Sequence, residues 1–308
     1  MTSQEPFTPE VGVPYRLAQG LQLILAPNPS PMTFTGTNTY LLGDTKFAVI
    51  DPGPNDPTHL AAILDTVADG SITHIVLTHS HLDHSSLARP LAERTGAPIL
   101  AFGPSHAGRS TIMKMLAQSG LTGGGEGIDT TFQPDITLNH NDLITNNEWK
   151  LKALHTPGHI GNHLCFRWDD AVFTGDHIMG WASSLVSPPD GDLTDFMQSC
   201  ALLQQQSAAT YYPGHGAPIH NPDERLTWLI EHRRSREAQI LDHLAQSPHD
   251  IVSLTKSIYN TIEPQLLSAA ERNVFAHLVD LSERHLVKAK PKLGLNAHFE
   301  LLPSNGRN

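Results

Sequence analysis

Short apolar runs, separated by glycine, proline and asparagine, predict most of the strands in the first part of the chain. The run Leu-Gln-Leu-Ile-Leu at residues 21–25 is typical of a buried strand, and Asn146-Asn147 is a turn sequence between two later runs. The predicted strands cover residues 21–25, 37–42, 47–50, 72–78, two within 136–155, 164–168 and 171–174. Several of these runs end in a small polar turn.

Apolar residues at helical spacing predict helices between and after these strands. In residues 85–95, for example, Leu87, Leu91 and Ala92 fall on one face. The predicted helices cover residues 59–68, 85–95, 111–118, 193–206, 224–244, 251–259 and 268–283. Strands mixed with helices over the first two hundred residues indicate a mixed α/β (α+β) fold.

A domain boundary is predicted near Asn221-Pro222, where a cap residue followed by proline opens a long helical pattern. This divides the chain into residues 1–221 and 222–308. In the second part, helices are followed by two predicted strands, 286–290 and 298–302. Helices followed by a terminal hairpin are consistent with a winged-helix arrangement.

The glycine cluster Gly123-Gly124-Gly125 interrupts the pattern of strands and helices. It lacks the Lys-Ser or Lys-Thr pair that follows the glycines of a phosphate-binding P-loop. We therefore predict a mobile surface loop at these residues.

The strongest chemical signal is the stretch from Thr78 to His84, which follows a predicted strand. If the backbone stays extended, His79 and His81 project to the same side and can hold one metal ion. Asp83 and His84, past the bend, can face a second ion. A complete second site needs ligands from elsewhere in the chain.

Three distal candidates each follow an apolar run and a small turn that contains glycine. They are His159 in Thr-Pro-Gly-His, Asp176 in Gly-Asp-His and His215 in Pro-Gly-His-Gly. Nitrogen and oxygen ligands at strand ends suit zinc or another borderline divalent ion. The absence of thiolates argues against an iron–sulfur site.

Taken in order, these four motifs resemble the metallo-β-lactamase-fold hydrolase superfamily over roughly residues 20–220. The continuation from Pro213 through Arg225 and on to Leu241 looks like the subgroup of β-lactamase-like protein 2 and its bacterial relatives. The resemblance implies an αββα sandwich followed by a small C-terminal winged-helix-like domain.

The resemblance also implies a complete ligand set for two divalent ions, most commonly zinc, with manganese or iron as alternatives. His79, His81 and His159 would hold the first ion, Asp83, His84 and His215 the second, and Asp176 would bridge them. Asp51 and His163 are expected behind the ligands, Asp51 to orient the metal loop. Asp83 is also expected to be catalytic, His177 is a candidate proton donor, and Trp181 is expected either as a pocket wall or as plain packing.

Two adjacent cations would lower the pKa of a water between them toward about 7, so that a bridging hydroxide attacks the substrate. The subgroup implies phosphodiester cleavage of single-stranded RNA. Hydrolysis of a thioester, lactone or amide is an alternative that the same hydroxide could perform. A mononuclear iron persulfide oxygenase is a third class, and a small-molecule substrate fits either alternative.

Charge is distributed unevenly along the 308-residue chain, whose formal net charge is −11. Residues 1–221 hold 9 Lys and Arg against 20 Asp and Glu, whereas residues 222–308 hold 11 of each. Because duplex binding depends on neutralising many phosphates, this balance argues against double-stranded DNA as a partner. Lys288, Lys290 and Lys292 are predicted to form a solvated face, with contact to a single strand as the alternative.

The remaining features predict the compartment of the protein. Cys165 and Cys200 show no motif spacing and are expected to be reduced and inert. The first 20 residues lack a basic start followed by an apolar stretch, and no apolar run approaches the length of a membrane span. We therefore expect a cytoplasmic protein without a membrane partner. Its oligomeric state is left open.

Overall fold

The computed structural model describes residues 7–122, 127–259, 261 and 263–303. The predicted glycine loop at 123–125 lies outside these residues. The strands are β1 (Tyr15–Ala18), β2 (Leu21–Leu25), β3 (Asn38–Leu42), β4 (Lys46–Ile50), β5 (Ser71–Val76), β6 (Ile99–Ala101), β7 (Ile136–Thr137), β8 (Leu143–Thr145), β9 (Lys150–His155), β10 (Leu164–Trp168), β11 (Ala171–Gly175), β12 (Thr210–Pro213), β13 (His249–Asp250), β14 (Val287–Lys290) and β15 (His298–Leu301). The α-helices are α1 (Pro57–Thr66), α2 (Leu82–Ser85), α3 (Ala88–Thr95), α4 (Thr111–Gln118), α5 (Leu193–Gln204), α6 (Pro222–Gln246), α7 (Ile251–Ile258) and α8 (Leu267–Glu283).

Two sheets form the centre of the first part of the chain. One has the order β1-β2-β3-β4-β5-β6-β7 and the other β12-β11-β10-β9-β8. Side chains alternate between the faces of each strand, so that Leu21 and Leu23 of β2 point into the space between the sheets, together with Phe166 and Phe173. The sheets therefore pack face to face around a shared apolar core.

Helices cover the outer face of each sheet. Ile24 and Val49 alternate to the outside of the first sheet, where they pack with Ile63 of α1 and Leu91 of α3. Phe196 of α5 and Leu226 of α6 belong to the corresponding layer on the second sheet. The predicted α/β fold is confirmed as an αββα sandwich.

One edge of the sandwich carries the ends of several strands. Strands β4 and β5 are parallel, as are β11 and β12, and β9 runs in the same direction as β11 because both are antiparallel to β10. The segments that follow these five strands therefore meet at one edge. These segments contain the predicted metal ligands and Asp51.

Two local predictions need correction. The strand predicted over residues 72–78 ends at Val76, so that Thr78 begins the metal loop instead of closing the strand. The helix predicted over 85–95 is divided into α2, which starts at Leu82, and α3, which starts at Ala88. The short α2 turns the chain directly after His81 and separates Asp83 and His84 from the first two histidines.

The C-terminal part combines helices α7 and α8 with the sheet β13-β15-β14. Its core includes Phe275 and Phe299, and it extends to Ile240 of α6 and Met113 of α4. The predicted winged-helix arrangement is confirmed. Since α6 contributes apolar residues both to this core and to the layer on the second sheet, the boundary at residue 221 stays a prediction.

Candidate metal centre

Three histidine side chains converge at the edge of the sandwich to form a first group of ligand atoms. His79 Nε2 and His159 Nε2 each lie 2.9 Å from His81 Nδ1. Asp176 Oδ2 lies 3.8 Å from His159 Nε2. All four residues are buried. Their mutual proximity satisfies the geometry of a set of ligands around one cation.

A second group lies beside the first and shares Asp176 with it. His215 Nε2 is 3.2 Å from Asp83 Oδ2 and 3.3 Å from His84 Nε2. Asp176 Oδ1 lies 3.3 Å from His84 Nε2 and 3.4 Å from His215 Nε2. The two oxygens of Asp176 therefore face different groups of ligand atoms.

The histidine rings are held by hydrogen bonds on the side away from these groups. His159 Nδ1 donates to the carbonyl of Leu185 at 2.7 Å, and His215 Nδ1 donates to the carbonyl of Gly36 at 3.1 Å. A ring nitrogen that donates to a fixed acceptor leaves the other nitrogen with a free lone pair. His159 and His215 thus direct Nε2 to the centre, where a neutral ring offers a lone pair to a cation.

Asp51 orients two further rings from behind. Its Oδ2 accepts hydrogen bonds from His84 Nδ1 at 2.9 Å and from Thr78 Oγ1 at 2.6 Å, and Thr78 Oγ1 lies 2.9 Å from His79 Nδ1. Asp51, His79 and His84 also lie close enough to be a third candidate ligand group. Because Asp51 contacts the opposite nitrogen of His84, we assign it to orienting the rings. Asp51 adopts φ of 51°, a left-handed conformation that is rare for non-glycine residues.

Two glycines make room for this packing. Gly175 has φ of 48°, and a Cβ there would lie 2.7 Å from Thr78 Oγ1. A Cβ on Gly214 would collide with Asp176 Oδ1 and lie 2.7 Å from His84 Cε1. The glycines of the Gly-Asp and Pro-Gly-His motifs are therefore required by the close approach of the ligands.

The residues present fit a divalent cation. Asp176 Oδ1 is buried, and its contacts with His84 Nε2 and His215 Nε2, at 3.3 and 3.4 Å, are not well-formed hydrogen bonds, so the oxygen can still bind a cation. The cluster offers imidazole and carboxylate donors without thiolate, which suits zinc and other borderline ions. The centre can therefore hold metal.

The protonation of the two groups differs when no cation is bound. Burial lowers the pKa of His81 to about 3 and holds the pKa of His79 well below its usual range. Burial also lowers the pKa of His84 and His215, but nearby carboxylates outweigh it. They raise the pKa of His84 well above its usual range and that of His215 to about 9. At neutral pH His79 and His81 are thus neutral, whereas His84 and His215 carry protons.

We expect zinc binding at pH 7 to release about two protons, because His84 and His215 must each lose one before Nε2 can bind a cation. The affinity of the second group for zinc should consequently rise between pH 6 and 8. Because two protons are released, the rise is up to about a hundredfold for each pH unit. Calorimetry in buffers of different ionisation enthalpy measures the number of released protons. Binding without proton release would contradict these protonation states.

The other predicted site residues lie away from the ligand groups. His177 is fully buried between Phe196, at a ring distance of 4.4 Å, and Cys200 Sγ, at 3.7 Å from Nε2. Burial lowers the pKa of His177 to about 3, so the ring is neutral. Its proton-donor role stays a prediction to which these contacts give no support. His163 packs behind His79 at a ring distance of 5.2 Å, in keeping with a supporting role.

A cleft of about 310 Å³ opens over the ligand atoms. Its walls include Met32, Leu82 and Leu185, which sequence reasoning missed. No spacing or motif marks these residues, since they come from separate loops that only the fold brings together. Trp181 does not line this cleft; it stacks on Phe34 at 4.9 Å and lines a neighbouring pocket.

Helix α6 holds the loop that carries Leu185. Arg233 is 3% exposed and donates from Nη2 to the carbonyl of Ser184 and from Nη1 to Asn273 Oδ1 at 2.9 Å. Arg225, eight residues earlier, donates to the carbonyls of Met179 and Ala182. Ser184 directly precedes Leu185, whose carbonyl accepts a hydrogen bond from His159. Arg233 is therefore placed to position the His159 ring through this loop.

We expect Arg233→Met to weaken metal binding at the first group by about 10- to 100-fold, as loss of a positioning contact behind a ligand does. Unfolding should also become easier by about 1–3 kcal/mol, because buried acceptors lose their donor. Arg225→Met is the matched control and should lower stability without changing metal affinity. Arg233→Lys should restore part of the lost metal affinity. Equal metal affinity in Arg233→Met and the wild type would show that the contact of Arg233 with the loop is only structural.

The fold and this site define a class of protein. Residues 32–215 match the family model of the metallo-β-lactamase superfamily, and residues 251–294 match the β-lactamase-associated winged helix domain. The chain therefore belongs to the metallo-β-lactamase superfamily, whose members are generally metal-dependent hydrolases.

Curated relatives narrow the placement within the superfamily. The chain is 31% identical to the beta-lactamase-like protein 2 homolog of Drosophila melanogaster, over 87% of this chain and 89% of the relative. It is also 30% identical to an atrochrysone carboxyl ACP thioesterase of Aspergillus fumigatus, over 77% of this chain and 67% of that protein. The predicted resemblance to the β-lactamase-like protein 2 subgroup is confirmed.

Solved structures share the whole architecture. A β-lactamase domain protein from Burkholderia ambifaria has a TM-score of 0.79 at 18% identity, covering 96% of this chain and 95% of that one. A metallo-β-lactamase family protein from Thermus thermophilus has a TM-score of 0.72 at 23% identity, covering 93% and 100%. At these identities the similarity establishes the fold. Within the described residues, no helix combines the length and apolar character needed to cross a membrane.

Proposed function

We propose that the protein is a binuclear metal-dependent hydrolase of acyl thioesters. The observation that supports two ions is the placement of Asp176, whose two carboxylate oxygens face two separate groups of ligand atoms. His79, His81 and His159 would hold one ion, and Asp83, His84 and His215 the other. Zinc suits the donor set, with manganese or iron as alternatives.

The lining of the cleft supports an acyl substrate. In the described part of the chain, its walls combine members of the ligand set with Met32, Leu82, Leu185, Gly127 and the uncharged Thr33, and they include no lysine or arginine. A polynucleotide site would need basic side chains to contact successive phosphates. The A. fumigatus relative, named as a thioesterase, agrees with this assignment.

When bound, the ions would lower the pKa of a water molecule and polarise the carbonyl group of the substrate. The protein orients the ring nitrogens through Asp51 and the Leu185 carbonyl and excludes bulk water by burial of the ligands. Asp83 is the most open member of its group, with a side chain 26% exposed, and it lines the cleft. Its carboxylate can accept the proton of the attacking water and pass it on to the product.

A thioester substrate also agrees with the ionisable residues of the cleft walls, which offer no proton donor apart from the ligand set in the described part of the chain. Among the described residues, every ionisable group that lines the cleft belongs to the ligand set. A thiolate leaves readily because the pKa of a thiol is only about 8.5, whereas an alkoxide leaving group requires protonation. The buried position of His177 is thus compatible with thioester hydrolysis.

Phosphodiester cleavage of single-stranded RNA is the other activity implied by the resemblance. The basic residues predicted for nucleic-acid contact lie on the strands and loop of the wing, and Lys290 is paired with Glu300 at 2.7 Å. A mononuclear iron oxygenase would leave the second group of ligands without a role.

Three substrates offered in parallel test the proposal: an acyl-N-acetylcysteamine thioester, bis(p-nitrophenyl) phosphate and a single-stranded RNA. Zinc-loaded and manganese-loaded proteins should hydrolyse the thioester with the highest kcat/KM. Turnover of RNA with inert thioesters would overturn the acyl assignment but keep the binuclear hydrolase. If an iron-loaded protein instead consumes oxygen with a persulfide as substrate, both the acyl assignment and the binuclear hydrolase are wrong, and the protein is a persulfide oxygenase.

A further inference from the structure

A second pocket of about 270 Å³ adjoins the metal cleft. We call it the junction pocket, because its walls come from the loop at 179–185, from α6 and from α8. Met32 and Leu185 line both cavities, so the two spaces share a wall. Taken together, their volumes fall in the range of small-molecule sites, about 300–1,000 Å³.

The chemistry of the junction pocket is mostly apolar. Its walls include Met32, Met179, Trp181, Leu266 and Ala270, and no carboxylate of the described residues lines it. Five polar side chains also line it: Ser183, His232, Arg233, Tyr259 and Asn273. The guanidinium of Arg233 already donates to the Ser184 carbonyl and to Asn273. The larger, apolar share of the walls favours an alkyl or aryl chain, whose burial removes apolar surface from water.

We propose that the junction pocket binds the acyl chain of the thioester, so that acyl groups of medium length are the preferred substrates. This inference rests on the proposed acyl hydrolysis at the metal centre. A cavity of about 270 Å³ holds about nine groups of the size of a water molecule, which corresponds to a chain of roughly eight to ten carbons. Met32 and Leu185, which line both cavities, would then flank the chain where it passes from the metal cleft into the junction pocket.

Burial of each methylene should raise kcat/KM by about fourfold. We therefore expect the octanoyl thioester of N-acetylcysteamine, which has four more methylenes than the butyryl thioester, to exceed it by roughly 250-fold in kcat/KM. Ala269 is half-buried and lines the pocket, so Ala269→Phe should fill it. This variant should lose at least about tenfold on octanoyl substrate and stay within about twofold on acetyl substrate.

Ser268→Phe is the matched control, because Ser268 is exposed on the same helix and does not line the pocket. It should keep the wild-type chain-length preference. Ala182→Phe fills the opposite wall and should repeat the effect of Ala269→Phe if the latter folds poorly. Equal loss on octanoyl and acetyl substrates in both filled variants would overturn the inference.

A binding measurement separates this inference from the proposed function. The non-hydrolysable thioether S-octyl-N-acetylcysteamine should bind the metal-loaded wild type at least about tenfold more tightly than S-ethyl-N-acetylcysteamine, and Ala269→Phe should remove the difference. Thioester turnover without any chain-length preference would overturn the acyl pocket and leave the proposed function standing. If the protein does not hydrolyse thioesters, the proposed function is wrong. The assignment of the pocket is still supported in that case if Ala269→Phe removes the tighter binding of the octyl thioether.

Discussion

Asp176→Asn should reduce kcat/KM for hydrolysis by roughly a thousandfold or more, equivalent to about 4 kcal/mol in the barrier. The carboxylate is the only described side chain with one oxygen directed to each group of ligand atoms. An amide keeps the volume and one acceptor oxygen but loses the negative charge that two cations require. We expect the bound metal to fall from two ions per chain to one.

The variant should remain folded because asparagine is nearly isosteric with aspartate, and because His84 and His215 can lose a proton when the negative charge of Asp176 that raises their pKa is removed. Thermal unfolding of the metal-free forms provides the control. Asp170→Asn, on the turn between β10 and β11, tests the same chemical change at an exposed position and should leave activity unchanged. Retention of most activity by pure Asp176→Asn would refute a bridged pair of ions.

His81→Ala should abolish hydrolysis to a similar extent by dismantling the first group alone. His81 Nδ1 lies 2.9 Å from the ligand nitrogens of both His79 and His159, so its loss removes the centre of that group. The second group does not use this ring, and one ion per chain should persist there. Zinc titration together with kinetics measures both effects.

The combination of His81→Ala with Asp176→Asn gives a sharper test than either variant. Residues that act as one unit are strongly non-additive, so the double variant should be little worse than each single one. His106→Ala is a suitable control, since His106 is exposed and lies outside both groups. Additive losses would indicate that the two residues act in separate steps.

The candidate ligands could be recognised in the sequence because one dense group, from His79 to His84, follows a predicted strand, and His159, Asp176 and His215 each lie in a short turn after an apolar run. A strand end fixes where the next few side chains project, and parallel strands bring their ends to the same edge. The motifs at His79, His159, Asp176 and His215 therefore determine one centre, although Asp176 and His79 lie almost a hundred residues apart. The alternation of short runs and helical patterns indicates a mixed α/β fold, whereas the αββα arrangement is implied by the resemblance to the superfamily.

The supports of the ligands could not be predicted in this way. Backbone carbonyls of Leu185 and Gly36 hold two of the rings, and a carbonyl carries no sequence signal. Arg233 belongs to an ordinary helical pattern, and only tertiary packing shows that it reaches the loop beside His159. Strands β6 and β12 also escaped prediction, because they have only three and four residues and are bounded by proline.

The most direct test of the central claim is the metal content of purified protein prepared without an affinity tag, measured by elemental analysis after zinc loading and desalting. The seven converging side chains predict two zinc ions per chain in the wild type and one in both His81→Ala and Asp176→Asn. One ion per chain in all three proteins would contradict the binuclear site. The proposal that two ions bridged by Asp176 hydrolyse acyl thioesters would then also be wrong.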